Sequence, residues 1–139
     1  MNTQKGFTLL ELVVVVAIVA ILAVVVVPSY QSHIIKTRRA KATACLLEMS
    51  QLLERFHTVN MSYAKDKDGN AFVLPSTQCS NELAGYYTFG LANQTARTYL
   101  LSAIPQRQQE SDDPASCGTL TINQAGQKGA GGSVSTCWK

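Results

Sequence analysis

The chain has 139 residues, 46% of them hydrophobic, with a net charge of +3 at neutral pH. That length fits one domain once a targeting segment is set aside. So mild a charge gives no argument from overall balance for nucleic acid.

The average conceals two halves. From residue 7 to residue 27 every side chain except Thr8 and Glu11 is apolar, whereas after Pro28 the chain is mixed, polar and rich in turn residues. The 21-residue run would span roughly 31 Å as a helix at about 1.5 Å per residue, matching a bilayer's hydrocarbon core. A secretory signal has a shorter apolar core and a small-residue cleavage site. This run instead ends in AVVVVPSY, where valines fit such a site poorly. Lys5 flanks the run on one side and Lys36, Arg38, Arg39 and Lys41 follow it on the other. The positive-inside bias therefore leans towards a cytoplasmic C-terminal part. Four cysteines, Cys45, Cys79, Cys117 and Cys137, point the other way. They form no CxxC pair and no zinc spacing with His33 or His57, so disulfides outside the cytoplasm are the better expectation. The basic cluster itself is expected as a solvated or headgroup-facing helix surface.

Glu11 is the odd residue of the run. A carboxylate at the bilayer centre costs about 2.5–3.5 kcal/mol on the insertion scale, and intramembrane ionisable groups usually have a partner. Close to the end of the run it can also reach the interface. Cleavage after Gly6 would leave Phe7 with a free α-amino group one helical turn before Glu11. A positive amine there, in the same chain or a neighbour, would neutralise the carboxylate and set the register of packed helices.

KGFTLLEL followed by VVVVAIVAILAVVVVPSY resembles the N-terminus of a type IV pilin. That resemblance implies a leader of residues 1–6, removed by a prepilin peptidase between Gly6 and Phe7. It also implies N-methylation of Phe7 and a docking role for Glu11. Residues 7–28 would form a helix that is transmembrane before assembly and lies in the filament core afterwards. Pseudopilins of type II secretion share this segment. Pro28 removes one helical hydrogen bond and crowds the preceding turn, so a kink is expected there, because helical periodicity resumes beyond it.

Over residues 29–59, Ala42, Cys45, Leu46, Met49, Leu52, Leu53, Phe56 and Val59 recur at three- and four-residue steps, an amphipathic helix with a core-facing stripe. Residues 60–85 are polar or irregular, with KDKDG as a loop signal. Strands are expected at residues 86–91, 97–104 and 118–123, joined as a meander into an antiparallel sheet whose apolar face covers the helix. The glycine-rich end would fray unless held. A Cys117–Cys137 disulfide, closing about twenty residues, would hold it with roughly 3 kcal/mol. Cys45–Cys79 is then left to tie the connector to the helix.

YLLSAIP, the spacer carrying Asp112 and Asp113, CGTLTINQAGQKGA and the final CW resemble the PilE-like minor pilins of Gram-negative bacteria. The fold implied is α+β. A long kinked helix has its apolar half protruding and its amphipathic half packed on three to four antiparallel strands, with a disulfide-bounded C-terminal loop in a globular domain of residues 29–139. Other pilins, the prepilin peptidase, the inner-membrane assembly machinery and the inner membrane are the implied partners. The implied location is a single pass with a periplasmic C-terminal domain, then an extracellular pilus used in adhesion, twitching motility or DNA uptake.

No catalytic constellation, metal site or cofactor motif stands out. His33 and His57 read as surface or helix filler, Asp112–Asp113 as a solvated turn, and AGQKGAGG lacks the setting of a phosphate loop. Some minor pilins of this kind are DNA receptors, using a basic surface near a disulfide-bounded loop. Here Arg97, Arg107, Lys128 and Lys139, with Trp138 as a stacking group, are the candidates for such a surface.

Overall fold

A computed structural model describes residues 6–113 and 115–139. The dominant element is α1, Leu9–Asn60, which runs through Pro28 without ending. The chain divides into two compact units with the boundary between Ile34 and Ile35. In the first unit every described residue up to Tyr30 is exposed. In the second, α1 buries Ile35, Arg39, Ala42, Thr43, Cys45, Leu46, Met49 and Leu53, a stripe at helical steps. Of the expected stripe, Val59 is exposed and Leu52 and Phe56 are half-buried, while the buried face extends proximally to Arg39 and Ile35. The helix stops at Asn60 because Met61 turns left-handed (φ 55°) while its N–H still reaches the His57 carbonyl at 2.7 Å.

Four strands, β1 (Tyr87–Ala92), β2 (Leu100–Pro105), β3 (Leu120–Asn123) and β4 (Lys128–Gly129), form an antiparallel meander in chain order. Alternation is clear on β3, where Leu120 and Ile122 are buried while Thr121 and Asn123 are only partly so. These side chains join Tyr87, Tyr99, Leu101 and Ala103 with the α1 stripe in one core. The second strand begins three residues later than residue 97, because Thr95 and Thr98 close a hydrogen-bonded turn across Arg97. β4 escaped the strand expectation since two residues of lysine and glycine carry no alternation.

The stretches expected to be irregular are partly ordered. Helix α2, Gln78–Glu82, starts on a capping box in which Thr77 and Ser80 exchange side-chain to backbone bonds. Cys79 lies on it and is joined to Cys45, with an S–S distance of 1.99 Å. Helix α3, Gln108–Ser111, occupies the β2–β3 connection. Helix α4, Val134–Cys137, lies in the glycine-rich end, where Cys137 is bonded to Cys117 at 2.02 Å. Asp66 organises the KDKDG loop by accepting from the Asp68 and Asn70 amides and the Asn70 side chain. Those bonds from Asn70 hold its carboxyl below the usual range.

Candidate nucleic-acid interface and assembly end

At the N-terminal end Gly6 and Phe7 are exposed and precede α1. Thr8 caps the helix: its Oγ1 accepts the Glu11 N–H at 3.3 Å and its carbonyl accepts the Leu12 N–H at 3.2 Å. The Thr-x-x-Glu spacing of a capping box is legible in the sequence, and the reading from hydropathy alone missed it. Glu11 therefore stands in the first turn, where the helix dipole favours a carboxylate. Among the described residues none forms an ion pair with it. An apolar helix exposed all round is a surface for lipid or for other such helices.

The other candidate residues lie on the sheet. β4 is an edge strand, pairing through Thr121↔Gly129 and Ile122↔Lys128. The Trp138 Nε1–H donates to the Gly129 carbonyl at 3.0 Å, and Lys128 Nζ sits 5.1 Å from the Trp138 ring centroid. Trp138 follows Cys137 directly, so the Cys117–Cys137 disulfide and α4 fix the indole, and the indole in turn supports Lys128. Packed against the core while still partly exposed, with its N–H engaged and a cation near its ring, Trp138 supports Lys128. Lys139 is exposed beside it.

Register places the arginines. Lys128 pairs with Ile122, and Ile122 with Leu101, near the start of β2. Arg97 lies in the β1–β2 turn at that same end of the sheet, where Gln124 of the β3–β4 turn accepts the Tyr99 N–H at 3.3 Å. Arg107 follows β2, beyond its other end, so a six-residue strand separates it from Arg97. At about 3.3 Å per residue that is roughly 20 Å. The structure joins Lys128 to Trp138, register puts Arg97 at the same end of the sheet, and Arg107 lies beyond the other end.

Two polar clusters were not foreseen. Arg39, expected on a solvated surface, is buried in an ion pair with Asp113, itself expected in a solvated turn. Beside them Gln109 is buried and donates to the Ile35 carbonyl at 3.0 Å and the Tyr87 hydroxyl at 3.1 Å. The physical reason is shared: α3 must be tied to α1, and buried polar groups need partners. The rest of the basic cluster divides. Arg38 covers the Tyr86 ring, Lys41 is 4.0 Å from Glu82, and Lys36 is exposed. In the second cluster Glu54 accepts from the hydroxyls of Tyr63 (2.9 Å) and Tyr99 (3.3 Å), and His57 stacks on Tyr63 at 4.3 Å. Burial first, then Glu54, pushes the Tyr63 hydroxyl up to about 12 and raises Tyr99. These groups knit the fold. No group of His, Cys, Asp or Glu among the described residues is arranged to hold a metal ion.

The prokaryotic N-terminal methylation motif matches residues 1–27. Among solved structures, the Neisseria meningitidis non-core minor pilin PilV shares 22% identity with the chain. That likeness covers 73% of this chain and 91% of the other, with a TM-score of 0.50, and carries the fold. A type IV pilin from Shewanella oneidensis is 27% identical over 68% of this chain and 89% of its own, with a TM-score of 0.47. No curated protein matches. Fold and motif define the class as type IV pilins. Within it, the profile of the type IV minor pilin ComP, DNA uptake sequence receptor, matches residues 28–121, and the chain belongs to that family. Family and fold are those of structural subunits that associate with other pilins, and α1 has the length and apolarity to anchor in a membrane.

Proposed function

We propose that this minor pilin is a DNA receptor carried on the pilus, and that Lys128 held over Trp138 on the open edge strand is the centre of its DNA face. That contact is the observation that carries the reading. A cation fixed by packing loses little freedom on meeting a phosphate, and its strand leaves the outer edge unpaired in the sheet. Lys139, next to Trp138 in the chain, and Arg97, at the same end of the sheet, add positive charge, while Trp138 positions Lys128. The kinship with a DNA uptake sequence receptor supports the same reading.

In this account the leader, whose residues 1–5 lie outside the described part, is removed between Gly6 and Phe7 by a prepilin peptidase, and Phe7 is methylated. Residues 7–28 hold the subunit in the inner membrane with the rest of the chain in the periplasm. The assembly machinery then moves it into the extracellular pilus, where Glu11 pairs with a neighbour's amino terminus. Pro28, which lacks the N–H an uninterrupted helix would use, provides the point of bending.

Filter retention of a labelled DNA duplex by the purified full chain in neutral detergent, across a salt series, tests the DNA face. Lys128→Gln with Lys139→Gln should weaken retention and reduce the salt slope by about one to two units. Unchanged retention and slope in that variant, or no salt-sensitive retention by the natural chain, overturns the reading.

A further inference from the structure

Arg107, separated from Lys128 by the length of the sheet, borders a different site. A cleft of about 420 Å³ is lined by Ala84, Gly85, Tyr86, Arg107 and Gln108. The Tyr86 ring carries the Arg38 guanidinium at 3.6 Å from its centroid. A stacked guanidinium is oriented by the ring while its in-plane N–H groups stay free for acceptors. The ion pairs among the described residues are Arg39–Asp113 and Lys41–Glu82, so neither Arg38 nor Arg107 has a carboxylate partner. Of the acids on the elements around the cleft, Asp113 is held by Arg39 and Glu82 by Gln78 and Lys41. Glu110 on α3 is exposed, three residues beyond Arg107.

The backbone adds a second observation. Arg107 adopts φ 52°, ψ −128°, a conformation that suits glycine and that arginine rarely takes. The surroundings hold it there. Gln106 N–H bonds to the Tyr86 carbonyl at 2.8 Å on one side, and Gln109 is buried against α1 and β1 on the other. The clamp fixes the point at which the Arg107 side chain leaves the backbone, beside the cleft that it lines.

We propose that Arg38, Tyr86 and Arg107 form an anion site that takes a phosphate group, supplied by an anionic phospholipid headgroup or as free phosphate. Arg107 lines the cleft and Arg38 is tied to it through the Tyr86 ring; a guanidinium without a carboxylate partner matches a phosphate in charge and in fork geometry. The cleft leaves room for the ester groups around it. Arg38 follows Val27, the last residue of the apolar run, by eleven positions on α1, and Lys36 beside it is exposed. This site is independent of the DNA face.

Calorimetric titration of the full chain in neutral detergent tests it, with three probes: inorganic phosphate, dihexanoyl phosphatidylglycerol and dihexanoyl phosphatidylcholine. Arg38→Gln and Arg107→Gly should each weaken the anionic probes about tenfold or more, and Lys128→Gln with Lys139→Gln should leave them unchanged. Arg107→Gly relieves the backbone strain, so its melting temperature should equal or exceed that of the natural chain and a loss of binding is not a loss of fold. Binding of phosphate alone identifies a free-phosphate site. Binding of phosphatidylglycerol above phosphatidylcholine identifies a headgroup site. Absence of binding to phosphate and phosphatidylglycerol, or affinities unmoved in both arginine variants, overturns the proposal. So does DNA retention that falls as much in Arg107→Gly as in the double lysine variant, since Arg107 would then belong to the DNA face.

Discussion

Removing the Arg39 guanidinium leaves the Asp113 carboxylate buried without its cation, with both side chains less than a tenth exposed. Breaking one side of such a pair costs about 3–5 kcal/mol, so Arg39→Met should lower the unfolding free energy of the chain in urea by that order. Replacing both residues, Arg39→Met with Asp113→Leu, should recover much of the loss, because no charge is then stranded. The tyrosines give a pH test. In the unfolded chain they ionise near 10, whereas burial holds Tyr63 and Tyr87 at about 12 in the fold. The folded state thus keeps protons that the unfolded state gives up. Stability from these groups is complete below pH 10 and is lost as pH rises through about 12. Denaturation midpoints should fall across that window. Glu54→Gln should reduce the fall without abolishing it, since burial is the larger cause for Tyr63 and Tyr99 and Glu54 the smaller.

Among the elements, the C-terminal end depends most on covalent closure. Cys117 and Cys137 are fully buried, and their disulfide spans 20 residues that include β4 and the turns on either side. Replacing both cysteines by serine should cost about 3 kcal/mol on loop-entropy grounds. Amide exchange at Lys128 and Gly129 should rise more than at β2. Gly132 is a sharper probe of the same packing, because a Cβ there would stand 2.8 Å from the Ala115 carbonyl oxygen. The large elements were legible: the helix from its three- and four-residue steps, β1 and β2 from aromatic and β-branched residues, and β3 from alternation. The short ones were not. α2, α3 and β4 have two to five residues each, too few to show a period, and they exist because Thr77 and Ser80 cap, Gln109 bonds, and Trp138 pins Gly129. Arg39 and Asp113 lie 74 positions apart, so neither betrays the other in sequence. The candidate DNA surface was half legible, since its residue types were visible but their grouping depends on sheet register.

At the scale of the whole molecule, a 52-residue helix carries an exposed apolar half and a half that supports a sheet. The first suits a bilayer and then a bundle of pilin helices, and the second carries a domain. In that account Glu11→Ala inserts in the membrane, since it removes a charge from the apolar run, yet fails to enter filaments for want of its partner amine. DNA capture by sheared filaments tests the combined claim most directly. Filaments from cells with the natural chain should contain this subunit and retain duplex DNA. Those with Lys128→Gln and Lys139→Gln should contain as much subunit and retain less. Equal DNA retention by the two, or a Glu11→Ala subunit present in filaments at the natural level, would contradict the account.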